Sequence, residues 1–260
     1  MLVLAGAAAS ALAGELTPDE QAQLVLNSAR KGYNERNYPF AIERFREFIQ
    51  KFGGHKDAAS AHYGLGLALI EGPAKDYPNA LNSLGQAAGR EDFPDRAFAF
   101  HYMGVARRAM GYAYLAQADA KPAEAQALRG QARQQFEEAV RSFASAAGSF
   151  AGRVKTPPDA KADLPEDLQW AARARCDQAE MVLRTDKFKE AADLAEGLLA
   201  DAALGKSRYR TLALYHLGYA KFALRDYLTA GRALSQLAPF PQDYGIHARY
   251  LLGRTHHLAD

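Results

Sequence analysis

A spacing that recurs along the chain constrains the fold more than any other feature. In the segment LALYHLGYAKFALRDYLTAGRALSQLAPFP, residues 212–241, Gly218 follows a leucine, Tyr227 comes nine residues later and Ala230 twelve residues later. A glycine lets one helix approach its partner closely, and a small alanine fits where a second helix crosses the first. The spacing therefore predicts a helical hairpin with an aromatic residue at its closed end.

The same pattern occurs six times along the chain. Each occurrence marks the first helix of a hairpin, and we call these first helices the helices A. Each is anchored by a glycine or an alanine, and successive anchors are 37, 38, 75, 39 and 35 residues apart: Ala29, Gly66, Gly104, Ala179, Gly218 and Gly253. No stretch shows sustained alternation of apolar and polar residues, as strands would. Because a short hairpin cannot bury its apolar face alone, the sequence predicts an all-α, right-handed α-solenoid of five to six stacked hairpins. Its helices A line a concave surface.

The interval of 75 residues predicts a third hairpin with elongated helices. After Gly104, apolar residues and alanines continue to about residue 118, the segment DAKPAEA supplies a turn, and a second helical pattern runs to about Phe150. Two compressed repeats in place of one long hairpin are the alternative.

A proline-containing linker divides the repeats into two groups. Three prolines in GRVKTPPDAKADLPED argue against a helix over residues 153–167. Residues 15–152 then hold repeats 1–3, and residues 168–260 hold repeats 4–6, the last one incomplete. Asp163 or Asp167 is expected to cap the helix that carries Trp170.

The N-terminal segment MLVLAGAAASALAG predicts an export signal, residues 1–13. It has no charged side chain and ends in Ala11-Leu12-Ala13, a small-x-small cleavage pattern, although it lacks the usual Lys or Arg near its start. An N-terminal membrane anchor or a buried helix is the alternative, but the apolar run is too short to span about 30 Å of hydrocarbon. Glu15 stands where a lipobox would need cysteine, so lipidation is not expected.

Composition and motifs argue against several classes of function. The 32 basic and 30 acidic side chains are interspersed and leave a net charge of +2, which does not resemble a nucleic-acid-binding footprint. Cys176 is the single cysteine, so no internal disulfide forms. The GLGLAL segment lies within a helical pattern, and neither the adjacent His256 and His257 nor the other histidines form a metal motif. We therefore expect no catalytic residue, cofactor or metal site.

From about residue 22 to 260, the repeat pattern resembles that of tetratricopeptide-repeat (TPR) proteins. The string YPFAIERFREFIQKFGGHKDAASAHYGLGLALIE, residues 38–71, is similar to the bacterial envelope branch, which includes cell-division coordinators and outer-membrane assembly lipoproteins. The chain departs from that branch because it has neither a lipidated cysteine nor an N-terminal coiled coil. The resemblance implies repeats that bind other proteins and catalyse nothing.

The resemblance also implies which residues face a partner. In TPR helices A, the position three before the anchor and the positions one and four after it face the groove. The first position gives Leu26, Tyr63, His101, Cys176, Tyr215 and Tyr250, and the later positions include Leu67, Ile70, Arg108, Tyr219, Phe222, Arg254 and His257. Aromatic residues at helical spacing are also common in the hydrophobic core. A buried core position is therefore the alternative for each of these residues. The candidate partner-binding residues are Tyr63, His101, Arg108, Tyr215, Tyr219, Phe222, Tyr250 and Arg254.

The sequence thus predicts a non-catalytic scaffold, exported to the periplasm or cell envelope, that binds a protein or peptide in its groove. We expect no nucleic-acid partner and no stable membrane anchor. The alternative is the helical N-terminal region of a larger envelope enzyme, such as a peptidoglycan-processing protein. The segment YGIHARYLLGRTHHLAD carries the helix-A pattern with apolar residues around the helix, which leads us to expect a further partner helix beyond residue 260.

Overall fold

The computed structural model describes residues 16–156 and 162–259, and within these ranges the chain forms eleven α-helices and no strand. The predicted signal segment, residues 1–13, lies outside the described residues. Two short 3-10 turns, Pro122–Glu124 and Leu204–Lys206, complete the secondary structure. The helices are α1 (Pro18–Asn34), α2 (Tyr38–Phe52), α3 (Ala58–Glu71), α4 (Tyr77–Ala88), α5 (Arg96–Ala120), α6 (Ala125–Arg153), α7 (Glu166–Leu183), α8 (Phe188–Ala200), α9 (Arg210–Ala223), α10 (Tyr227–Ser235) and α11 (Gly245–Ala259).

The helices pack in the order in which they occur, as the prediction of an α-solenoid requires. Five hairpins form, α1–α2, α3–α4, α5–α6, α7–α8 and α9–α10, and α11 packs on α10. The helices A are the odd-numbered ones, and most also contact the next helix A. In the described chain no comparable contact joins successive even-numbered helices, here called helices B. The helices A therefore lie closer together and form the inner side of the stack, and the predicted all-α class of stacked hairpins is confirmed.

The short hairpins share one tight turn between helices A and B. Its central residue is a non-glycine residue in the left-handed region, with φ of 59° at Arg36, 49° at Lys75, 60° at Asp186 and 62° at Arg225. In three of the four turns the next residue is Asn or Asp, and its side chain accepts a hydrogen bond from the backbone N–H three residues on. This cap satisfies one of the N–H groups that the start of a helix leaves unpaired.

The anchor glycines receive a large side chain from the facing helix B. A Cβ atom placed on Gly66 would lie 2.6 Å from Leu84, and one on Gly218 would lie 2.5 Å from Leu234. Real Cβ atoms do not approach so closely, so only glycine allows these helices to reach their observed separation. The close approach predicted from the spacing is confirmed. The spacing also placed such a glycine at Gly253, where no atom lies within 4 Å of the same position.

The third hairpin is elongated, as predicted, and the alternative of two compressed repeats is wrong. Helix α5 has 25 residues and α6 has 29, and the two pack along their length. Part of the predicted linker, residues 157–161, lies outside the described residues. The capping prediction is also wrong, because Pro165 precedes α7 and no side chain caps that helix. Asp167 lies in the first turn and instead accepts a hydrogen bond from Arg153 at 3.2 Å.

None of the helices in the described ranges combines the length and the apolar character that crossing a bilayer requires.

Candidate functional site

A cavity of about 600 Å³ opens on the inner side of the stack, between α7, α9 and the start of α11. Helix α7 contributes acidic and basic side chains, whereas α9 and the α11 region contribute mostly aromatic ones. We call this cavity the inner pocket. Its lining residues are Arg173, Asp177, Glu180, Leu183, Arg184, Leu212, Tyr215, His216, Tyr219, Asp243, Tyr244 and His247.

One wall of the inner pocket is a cluster of stacked rings. Tyr215 stacks on Tyr244 with ring centroids 4.7 Å apart and an interplanar angle of 30°. The Tyr215 hydroxyl is 2.6 Å from Nδ1 of His247, and the His247 ring lies 6.0 Å from that of Tyr219. Because each ring is held by its neighbours, the wall presents aromatic area whose side-chain entropy is already reduced before anything binds.

The opposite wall is a network of ion pairs between α5 and α7. Asp177 is 1% exposed and accepts hydrogen bonds from Arg173 Nε at 2.9 Å and from Arg108 Nη1 at 3.1 Å. Arg108 also pairs with Glu180 at 3.1 Å, and Glu180 accepts a hydrogen bond from the Tyr112 hydroxyl at 2.8 Å. A buried carboxylate is stable only when it is paired in this way. The network therefore fixes the positions of the pocket's acidic groups.

Burial shifts the pKa of several groups in and near the pocket. Burial raises the pKa of Tyr215, and burial together with the Glu180 carboxylate raises the pKa of Tyr112 to about 12. Burial lowers the pKa of His216 to about 4. At neutral pH these tyrosines are protonated and His216 is neutral, so none of these three groups adds a formal charge to the pocket.

Arg184 is the cation of the inner pocket that is most available to a ligand. Its guanidinium carbon lies 5.3 Å from the centroid of the Tyr112 ring, and its side chain is exposed. Among the described residues it has no ion-pair partner, in contrast to Arg173. A ligand carbonyl or carboxylate could therefore bind Arg184 without breaking an existing salt bridge.

The structure brings together only some of the candidate residues predicted from the sequence. Tyr215 and Tyr219 line the inner pocket, and Arg108 lies behind it in the ion network. Phe222 is half-buried and packs on Tyr227, with ring centroids 5.8 Å apart. Tyr63 is half-buried among Phe93 and Tyr102 in the N-terminal half of the stack, while Tyr250 and Arg254 lie on a separate face of α11.

The prediction that His101 faces a partner is corrected, because this side chain is only 6% exposed. Its ring packs against Phe143 at 5.5 Å and Trp170 at 5.3 Å, in the space where the elongated hairpin meets α7. Three further residues that the repeat geometry placed in the groove are also buried: Leu26, Ile70 and Cys176. Burial in an apolar site raises the pKa of the Cys176 thiol, and its Sγ donates to the Tyr209 carbonyl at 3.7 Å.

Sequence reasoning missed the residues one turn further towards the N-terminus of each helix. The position six residues before the anchor is Arg173 in α7, Leu212 in α9 and His247 in α11, and all three line the inner pocket. The same anchors could have identified this position, because it lies about two turns from them on each helix. Glu180 lies one residue after the anchor Ala179, a position that the repeat geometry places in the groove, although it was not among the residues named for that position. Asp177 left no such signal, since its partner Arg108 is 69 residues away.

Within the described ranges no group of three His, Cys, Asp or Glu side chains is placed to hold a metal ion.

Among known proteins, only the solved structures include chains that are similar to this one. No family model matches the chain, and no curated protein sequence matches it. The TPR domain of P58(IPK) is similar with 14% identity and a TM-score of 0.31, over 92% of this chain and 66% of that one. The TPR2AB domain of yeast Sti1, in its complex with pHSP90, is similar with 16% identity and a TM-score of 0.30, over 93% of this chain and 100% of that one. At this level of similarity, the hairpin fold of this chain is established by the packing of its own helices.

Proposed function

We propose that this chain is a protein-binding scaffold that holds a peptide or protein segment in the inner pocket. The observation that carries the proposal is the aromatic wall of Tyr215, Tyr219, Tyr244 and His247 on the inner side of the stack. Tyrosine and arginine supply much of the energy at protein interfaces, because they bury large areas while keeping a polar tip. The pocket offers both residue types within one cavity.

The geometry favours an extended segment with an apolar side chain beside a polar backbone. The apolar side chain would stack on the Tyr215 and Tyr244 rings, where water is easily displaced. Backbone carbonyls of the same segment would accept hydrogen bonds from Arg184 and from the Tyr219 hydroxyl. A cavity of about 600 Å³ has room for a few side chains, so the main contact would come from a short stretch of the partner.

The proposal extends to where the scaffold works. We propose an exported protein of the bacterial cell envelope, on the basis of the apolar N-terminal segment and of the resemblance of residues 38–71 to the envelope branch of TPR proteins. Expression from a complete start with detection in periplasmic and cytosolic fractions tests this location. A product that keeps its first thirteen residues in the cytosol would contradict it.

A peptide selection tests the binding site directly. Peptides displayed on phage would be selected against the purified chain and then titrated against Tyr215→Ala/Tyr219→Ala. We expect the double variant to bind at least about 30-fold more weakly, since removing two central aromatic contacts costs about 2 kcal/mol. Circular dichroism must show unchanged helical content, because Tyr215 also packs on its neighbours.

Two further variants sharpen the result. Tyr38→Phe removes a hydroxyl that donates to Glu71 at the other end of the stack, so it should leave binding unchanged. Tyr215→Phe keeps the ring and removes only the hydroxyl near His247, and we expect a loss of about threefold. Selected peptides that bind the folded double variant as tightly as the parent chain would overturn the proposed site.

A further inference from the structure

Most of the charged groups on the inner pocket's wall are already paired with each other. Of its arginine and carboxylate side chains, three belong to the ion network between α5 and α7: Arg173, Asp177 and Glu180. Asp177 bridges Arg173 and Arg108, and Glu180 also pairs with Arg108. Two positive and two negative charges are therefore balanced within the network, and a ligand could bind them only by breaking buried ion pairs.

The pocket has two further charged side chains, Arg184 and Asp243, and both are exposed. Neither has an ion-pair partner among the described residues. Arg184 lies near the end of α7, with its guanidinium over the Tyr112 ring. Asp243 lies in the segment that leads into α11, directly before Tyr244 of the ring cluster. A cation and an anion are therefore available on opposite walls of the same cavity.

Tyr215 lies between these two charges. Its ring stacks on Tyr244, the residue that follows Asp243. Burial raises the pKa of Tyr215, and the Arg184 guanidinium partly offsets that rise, so the cation is within electrostatic reach of the ring. A side chain that stacks on Tyr215 would therefore have a carboxylate on one side and a guanidinium on the other.

This arrangement discriminates between charged segments. A uniformly acidic segment would bring a carboxylate towards Asp243, and a uniformly basic one would bring a cation towards Arg184. Like charges that are brought together exclude a wrong partner as effectively as good contacts select the right one. In an extended segment, side chains two residues apart point to the same side and are about 6.5–7 Å apart. Charges two positions before and after a stacked residue could thus reach both walls.

We infer that the inner pocket selects an extended segment in which one acidic and one basic residue flank an apolar residue, each two positions from it. The apolar side chain stacks on Tyr215, the acidic side chain binds Arg184, and the basic side chain binds Asp243. The inference rests on the proposed function and adds to it which segments the pocket binds.

Short peptides with blocked ends provide the probe, because they carry no terminal charge. The sequence GESFSKG has the acidic, apolar and basic residues at the inferred spacing, and GKSFSEG reverses the order of the charges. Both are titrated with the 260-residue chain by calorimetry up to about 5 mM, and the order that binds more tightly is taken forward. Four relatives of that peptide complete the set. In three of them glutamine replaces the glutamate, the lysine or both, and the fourth test uses the uniformly charged pair GESFSEG and GKSFSKG.

We expect the peptide with both charges to bind at least about fivefold more tightly than either uniformly charged peptide, which brings a like charge to the pocket. Arg184→Gln should weaken its binding about threefold and leave the peptide without glutamate unchanged. Asp243→Asn should act in the same way on the lysine. The matched control is Glu43→Gln/Arg46→Gln, which changes the same kinds of charge on the exposed face of α2 and should alter no titration.

The outcomes separate this inference from the proposed function. If Arg184→Gln and Asp243→Asn weaken the charged and the uncharged peptides by equal factors, these residues do not bind the flanking charges and the inference is overturned. The same holds if no peptide of the set binds saturably, while peptides from the phage selection still bind through Tyr215 and Tyr219. Peptides that bind folded Tyr215→Ala/Tyr219→Ala as tightly as the parent chain would overturn the proposed function itself.

Discussion

The elongated hairpin α5–α6 and the short hairpin α9–α10 both pack a large side chain on a glycine, but they differ in how many such contacts they form. In α9–α10 one glycine, Gly218, receives one leucine, Leu234. In α5–α6 two glycines seven residues apart, Gly104 and Gly111, receive Phe143 and Phe136. Both phenylalanines are at most 1% exposed and belong to one apolar cluster. Repeating the glycine contact with a larger partner extends the close contact between the two helices by about two helical turns, since Gly104 and Gly111 are seven residues apart.

The two hairpins also differ in how they turn. The short hairpin passes from helix A to helix B through a left-handed residue, Arg225, followed by a capping aspartate. The elongated hairpin uses a 3-10 turn at Pro122–Glu124 and has no side-chain cap. The short hairpin is therefore defined locally at its closed end. The elongated one depends more on the side-chain packing between its helices, and three measurements can test this difference.

The largest expected effect is the loss of an aromatic ring from the elongated hairpin. Phe143→Ala should lower the free energy of unfolding by about 4 kcal/mol, and Leu234→Ala by about 3 kcal/mol, because the larger side chain leaves the larger cavity. Urea denaturation followed by hydrogen exchange of the individual helices measures both. The comparison fails if Leu234→Ala costs clearly more than Phe143→Ala.

Acid should destabilise both hairpins through one buried histidine in each. Burial lowers the pKa of His101 on α5 and of His216 on α9 to about 4, against about 6.5 in the unfolded chain. The unfolded state therefore binds more protons between these values, and stability falls as the pH drops below about 6.5. Each histidine should cost about 2 kcal/mol at about pH 5 relative to neutral pH.

Replacing each histidine by leucine separates its contribution to the pH dependence of stability from the contributions of the other titrating groups. His101→Leu and His216→Leu should each remove about 2 kcal/mol of the difference in unfolding free energy between about pH 7.5 and pH 5. The pH 7.5 values provide the control for any change in packing. If the pH difference of both variants equals that of the parent chain, the histidines are not held neutral by burial.

The smallest expected effect concerns two glycines of the elongated hairpin. Replacing them by alanine should change the free energy of unfolding in opposite directions. Gly111→Ala should cost about 1.5 kcal/mol, because the new Cβ would lie 2.4 Å from the Phe136 ring, which is 1% exposed. Gly130→Ala, on α6 with nothing within 4 Å, should stabilise by about 0.5–1 kcal/mol through helix propensity alone. Thermal unfolding of the two variants beside the parent chain measures both. A stabilising Gly111→Ala would show that the close contact is not needed.

The hairpins could be predicted from the sequence because their packing is local. In the short hairpins a glycine on one helix and the leucine that packs on it are close in sequence, 18 residues apart for Gly66 and Leu84 and 16 for Gly218 and Leu234. The spacing around such a glycine therefore indicates both helices. The elongated pair followed from the doubled interval. The tilt between successive hairpins has no such signature, since it depends on many side chains packed between them.

The candidate site was therefore predicted only in part. Tyr215 and Tyr219 reach the inner pocket, but His101 is covered by Trp170, which follows it by 69 residues and across the linker. Arg108 has the type and position of a partner-binding residue, yet Asp177 and Glu180 already occupy its guanidinium. In each case a residue from a distant helix decides whether a side chain is available, and repeat spacing carries no information about it.

The shared left-handed turn of the short hairpins makes them equivalent modules for duplication. Within each such unit helix A passes to helix B through the same turn geometry, because Arg36, Lys75, Asp186 and Arg225 adopt nearly the same φ. A gene duplication that inserted one more unit beside α9–α10 would add a helix A and a helix B already joined by this turn. It would also bring one more residue six positions before an anchor, the position that Arg173 and His247 occupy in the inner pocket. A lineage could thus lengthen its binding surface by whole repeats while leaving the existing contacts in register.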